Sequence, residues 1–136
     1  MGQYADFKTP ENYMIYTWQA GLGLPEREYY FKDDEASQKI RDAYVPHVER
    51  MLTLAGIEGA SEAAAKLMAM ETEIADMHMQ KELTRDWATN YNKVMTPNLG
   101  DVMPKFDWSA VLKEARLPEL AGVVMMQTDF TKQMEC

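Results

Sequence analysis

Two histidines and 22 acidic side chains are the groups in this 136-residue sequence that could hold a metal or move a proton. His78 and Glu82 stand four residues apart, a spacing that puts an imidazole and a carboxylate on one face of a helix. A helical metal site needs more than one such pair: an HExxH run, or a Glu-x-x-His motif on each of two helices. Neither pattern occurs. His78 with Glu82 is therefore expected to be an ordinary polar pair at a helix edge, and His47, between Pro46 and Val48, a hydrogen-bonded packing histidine.

Nucleophilic chemistry is no better supplied. Ser37, Ser61 and Ser109 all fall at expected helix starts or first turns, where serine caps, and there is no GxSxG elbow. Cys136 is the only cysteine and the last residue, so it forms no intrachain disulfide, completes no Cys-rich zinc site and is poorly placed as an active thiol; it fits a reduced setting. Of the twelve methionines, most are expected in the core. The run "GLGLP" has neither the GxGxxG nor the GxxxxGK[ST] spacing of a phosphate loop. Gly21 and Gly23 instead permit unusual backbone angles and Pro25 fixes the next turn, leaving Arg27, Glu28, Tyr29 and Tyr30 as a cluster able to hydrogen-bond the loop elsewhere.

The elements that position these groups are mostly helical. "YMIYTW" (13–18) reads as a short strand covered on both faces, and "GVVMM" (122–126) as a second that pairs with it and holds the chain ends together. Asp33 or Asp34 caps a helix whose inward stripe is Ile40, Tyr44, Val48, Met51 and Ala55, with a kink or break near Asp42 from Pro46 and a stop at Gly56. Ser61 caps a second helix running to Arg85, with Leu67, Met70, Ile74, Met77 and Lys81 on one face. Thr96 and Pro97 open a short helix. Asp107 caps another with Trp108, Val111, Leu112 and Ala115 inward, ended by Pro118, and Thr128 or Asp129 opens a last turn bearing Phe130 and Met134. The expected fold is thus mainly α: a helical bundle with two long helices, short helices and a small two-stranded β element, in one segment, 1–136.

The formal charge of −8 argues against binding nucleic acid or an anionic membrane surface. The start "MGQYADFKTPENY" lacks the pattern of a signal peptide and no run approaches the ~20 apolar residues of a membrane span, so the chain reads as soluble.

"QAGLGLPEREYY" (19–30) resembles the Q-x-G-L-G-L-P-x-R-D-Y-Y signature of the N-terminal, mainly helical region of neprilysin-type zinc metalloendopeptidases. The likeness continues in order through "KDDEASQKIRDAYVPHVERMLTLAG" (32–56), "METEIADMH" (70–78), "NYNKV" (90–94), "FDWSAVL" (106–112) and "VVMMQTDF" (123–130). Glu28 replaces the usual aspartate, Pro46 stands where the helix usually continues, and Met95 and Thr96 shift the threonine cap by one place. Phe31 and Lys32 follow the tyrosines where vertebrate members have a cysteine nearby, so the bacterial branch is the closer likeness.

The resemblance implies zinc-dependent hydrolysis of oligopeptides by the parent enzyme, which in the family uses HExxH and a downstream glutamate. This chain lacks HExxH, so by itself it is expected to be inactive and to bind no cofactor, the zinc belonging to the parent. In the family, the helical region faces the catalytic region across a closed chamber and limits entry to short peptides. No catalytic or metal residue carries over. Gly21, Gly23, Pro25, Arg27, Tyr29 and Tyr30 are expected to hold the signature loop and Asn92 to tie its own turn. The implied partners are the catalytic region of the same parent and its oligopeptide substrates; the isolated segment is also expected to dimerise through bared apolar surface. Localisation stays open, an exported or periplasmic parent being in keeping with the family. Two rivals remain: a stand-alone helical interaction module, and a small carboxylate-metal enzyme in a helical bundle.

Overall fold

The computed structural model describes residues 1–117 and 119–134; the expectations placed on Pro118 and Cys136 lie outside them. In chain order the elements are β1 (Gly2–Ala5), β2 (Tyr13–Thr17), α1 (Glu28–Phe31), α2 (Glu35–Leu54), α3 (Ala60–Met77), a 3-10 turn (Leu83–Arg85), α4 (Trp87–Asn90), β3 (Asn92–Met95), a second 3-10 turn (Thr96–Asn98), α5 (Leu99–Val102), α6 (Trp108–Glu114), β4 (Gly122–Met125) and α7 (Thr128–Gln133). About half the chain is helical. Two compact units result: one from 1–20 with 79–136, the other from 21–78.

The first unit is built on a sheet in the order β1-β2-β4-β3. β2 and β4 pair in parallel, Ile15 opposite Val123 and Tyr16 opposite Val124, so the two apolar runs do join the chain ends. The expected two strands are four, because β1 and β3 add antiparallel on the outside. Alternation then sorts the side chains of the central pair. Ile15, Val123 and Met125 form one core with Leu99 and Leu112, while Met14, Tyr16 and Val124 form another with Tyr91 and Met126. All of β4 is buried, and each fully buried Val or Met is worth about 1.5–3 kcal/mol. Asp107 caps α6 by accepting from the Ala110 N–H at 2.9 Å; Leu112 is buried, Trp108 and Val111 are half-buried, and Ala115 is exposed. Thr96 does not cap: its hydroxyl donates to the Leu120 carbonyl.

The second unit is a helical hairpin. Asp34 is the α2 cap, accepting from the Ser37 N–H at 2.9 Å and the Ser37 hydroxyl at 2.8 Å. At the far end, the N–H groups of Gly56 and Ile57 return to Thr53 and Leu52, both at 3.0 Å, in a Schellman stop. The helix runs without a break through Pro46, so of the expected kink or break near Asp42 the break does not occur. Gly59, not Ser61, stands at the α3 cap. The buried face of α3 is Ala64, Glu71 and Ala75, whereas Met70 is 53% exposed, so the expected stripe is rotated by about one position. On α2 the stripe is thinly covered, Met51 being 54% exposed. Met14 and Met125 are core residues, but Met1, Met51, Met70, Met95 and Met134 are exposed, so methionine is less a core filler here than expected.

Candidate functional site

The signature loop leaves Ala20 through Gly21, whose φ of +101° no side chain tolerates comfortably. Two residues on, Gly23 lies against the Tyr44 side chain: a Cβ there would fall 1.8 Å from the hydroxyl and 3.0 Å from Glu71 Oε1. The loop then closes into α1, which carries Tyr30 into the helical unit, where it is buried with Leu24 and Ala75. Its hydroxyl accepts from the Leu24 N–H at 3.0 Å and donates to Glu71 Oε2 at 2.7 Å. Tyr44 donates to both Glu71 oxygens at 3.0 Å. A buried carboxylate is stable only with such donors, and here α1, α2 and α3 each contribute one member of the cluster. Burial, and then the hydrogen bond to Glu71, raises the Tyr44 pKa to about 12; the Tyr30 hydroxyl is pushed upward as well, first by burial.

Arg27 lies with its guanidinium 3.6 Å from both Glu28 Oε1 and Asp76 Oδ1 and 4.7 Å from the centre of the Phe31 ring. The half-buried Tyr29 packs beside Tyr30, and its carbonyl accepts from Arg41 Nη1 at 2.8 Å. Pro25 is exposed. Gln19, the first signature residue, belongs to the sheet unit. Its carboxamide oxygen accepts from the Met79 N–H at 2.7 Å and its nitrogen donates to the Met79 carbonyl at 3.2 Å, clamping the backbone where the chain re-enters that unit.

Two residues that the sequence pattern did not single out extend this clamp. The Gln19 N–H donates to Gln127 Oε1 at 2.9 Å, and Gln127 Nε2 donates to Asn90 Oδ1 at 3.2 Å. Asn90, fully buried, donates in turn to the carbonyls of Leu83 and Asp86 at 2.9 and 2.8 Å. Asn92 donates to the Thr89 carbonyl at 3.1 Å. A third polar residue, Asp6, is 2% exposed at the β1–β2 turn and accepts from Tyr91, Thr9 and the Lys8 N–H. Glu71, Asn90, Gln127 and Asp6 each take at least one partner distant in sequence, which no local pattern announces, although Glu71, Asn90 and Gln127 fall within the runs that carry the resemblance.

α3 ends at Met77 instead of Arg85, so His78 is its extended C-cap residue and Glu82 lies beyond the helix; the two do not share a helical face. His47 is exposed and is not a packing histidine. Among the described residues no three His, Cys, Asp or Glu side chains are placed to hold a metal ion. No described helix is long and apolar enough to cross a membrane.

The family model for the N-terminal part of Peptidase family M13 matches residues 1–135. Endothelin-converting enzyme-like 1 of Rattus norvegicus is 31% identical over 134 residues, covering 95% of this chain and 17% of the relative; endothelin-converting enzyme 1 of Cavia porcellus is 27% identical over 139 residues. The chain therefore spans about a fifth or less of the length of these relatives. Among solved structures, the Mycobacterium tuberculosis zinc metalloprotease Zmp1 in its open state has a TM-score of 0.82 at 27% identity, covering 98% of this chain and 22% of that one. Its inhibitor complex gives 0.76 at 26% identity. This likeness fits the bacterial branch of the resemblance. With a match across nearly every residue and the same fold in a zinc metalloprotease, the chain belongs to peptidase family M13, the neprilysin-type metalloendopeptidases, as their N-terminal region.

Proposed function

We propose that this chain forms the non-catalytic wall of a peptidase chamber, facing the catalytic region of the same parent and limiting entry to short oligopeptides. What supports the reading is the match over residues 1–135 together with a sequence that has no HExxH. Zinc and the water it activates belong to the catalytic region of the parent. The wall contributes size selection and water exclusion, and both depend on its keeping its shape. In this reading Gly21, Gly23, Pro25, Arg27, Tyr29 and Tyr30 hold the signature loop to the helical hairpin, and Asn92 ties the turn before β3.

Purified chain incubated with zinc and a quenched short peptide should show no hydrolysis. Activity that survives repurification and disappears in His78→Ala would sink the reading. For size selection, the chain joined in frame to the catalytic region of its parent should cleave short peptides and spare long ones. Equal cleavage of both lengths would remove the selecting role. A second reading, an interaction module working alone, draws on the exposure of Met51, Leu54 and Met70 on the helical hairpin. A reading frame that stops after Cys136 would favour it.

A further inference from the structure

We draw no further inference here: the strongest candidate, the apolar cavity of the sheet unit between the end of β2 and the helices α6 and α7, where the Trp108 indole nitrogen and the Thr17 hydroxyl are buried without a hydrogen-bond partner among the described residues, carries nothing because the chain spans only about a fifth of the length of its relatives and nothing in the structure shows what covers that cavity.

Discussion

Replacing Tyr30 by Phe removes one oxygen atom and should loosen the whole signature loop. That oxygen accepts from the Leu24 N–H at 3.0 Å and donates to Glu71 at 2.7 Å, and both partners are buried. Losing a hydrogen bond to a charged group costs about 1.5–3 kcal/mol, and stranding a buried N–H about 1–3 kcal/mol. Glu71 keeps both contacts to Tyr44, so the two costs overlap and a net loss of about 3 kcal/mol is expected. For a chain of this size that lowers Tm by roughly 10 °C. Tyr44→Phe, which strands no N–H, should cost less. Urea and thermal unfolding followed by circular dichroism give the magnitudes, and hydrogen exchange at the Leu24 amide locates the effect. A loss below about 0.5 kcal/mol, or equal losses for the two variants, would refute the reasoning. The tyrosines also set a pH limit. Both folded pKa values are raised above the ordinary 10.0, Tyr44 to about 12, so their stabilisation is complete below pH 10 and is lost as pH rises through 12. The wild type should weaken across that window and Tyr44→Phe should flatten the slope.

Gly23→Ala should cost about 1–3 kcal/mol by displacing the Tyr44 hydroxyl, and the cost should shrink in a Tyr44→Phe background; full additivity in that double-mutant cycle would show the contact to be irrelevant. Gln19→Ala should destabilise the sheet unit by about 1–2 kcal/mol and speed exchange of the Met79 amide at least tenfold, and an unchanged exchange rate would disprove the clamp. Asp6 is held at a pKa of about 2, against an ordinary 3.8, by the Tyr91 hydroxyl and then the Lys8 N–H. Its folded pKa is depressed, so its contribution is full above pH 4 and is lost as pH falls towards 2. Urea midpoints measured from pH 5 to 2 should fall less steeply in Asp6→Asn than in wild type.

The features legible in the sequence were those that local chemistry decides. Asp34 and Asp107 cap because a short acidic side chain reaches the free N–H groups of the first turn, and Gly56 ends α2 in a Schellman stop. The apolar runs of β2 and β4 announced a buried pair. β1 and β3 stayed hidden because edge strands are largely exposed, and "GQYA" and "NKVM" carry too little apolar pattern to separate them from loop. The end of α3 was missed for a different reason. Nothing in "HMQKELTR" breaks a helix; Gln19, sixty residues earlier, takes the Met79 N–H that would otherwise continue it. The burial of Glu71 was not legible, because a carboxylate reads as solvent-facing until its donors, Tyr30 and Tyr44, are brought to it by packing.

The Gln19 clamp also bears on how such a chain can vary in length. Residues 21–78 depart from the sheet unit and return to it at two backbone points that one carboxamide holds together, so the sheet sees that whole excursion as a single pinned loop. The entropy of closing a loop grows only slowly with its length, about 0.6 kcal/mol for each doubling. Turns can thus be inserted into or removed from the helical hairpin without re-registering a single strand, while substitution of one glutamine reaches both ends at once.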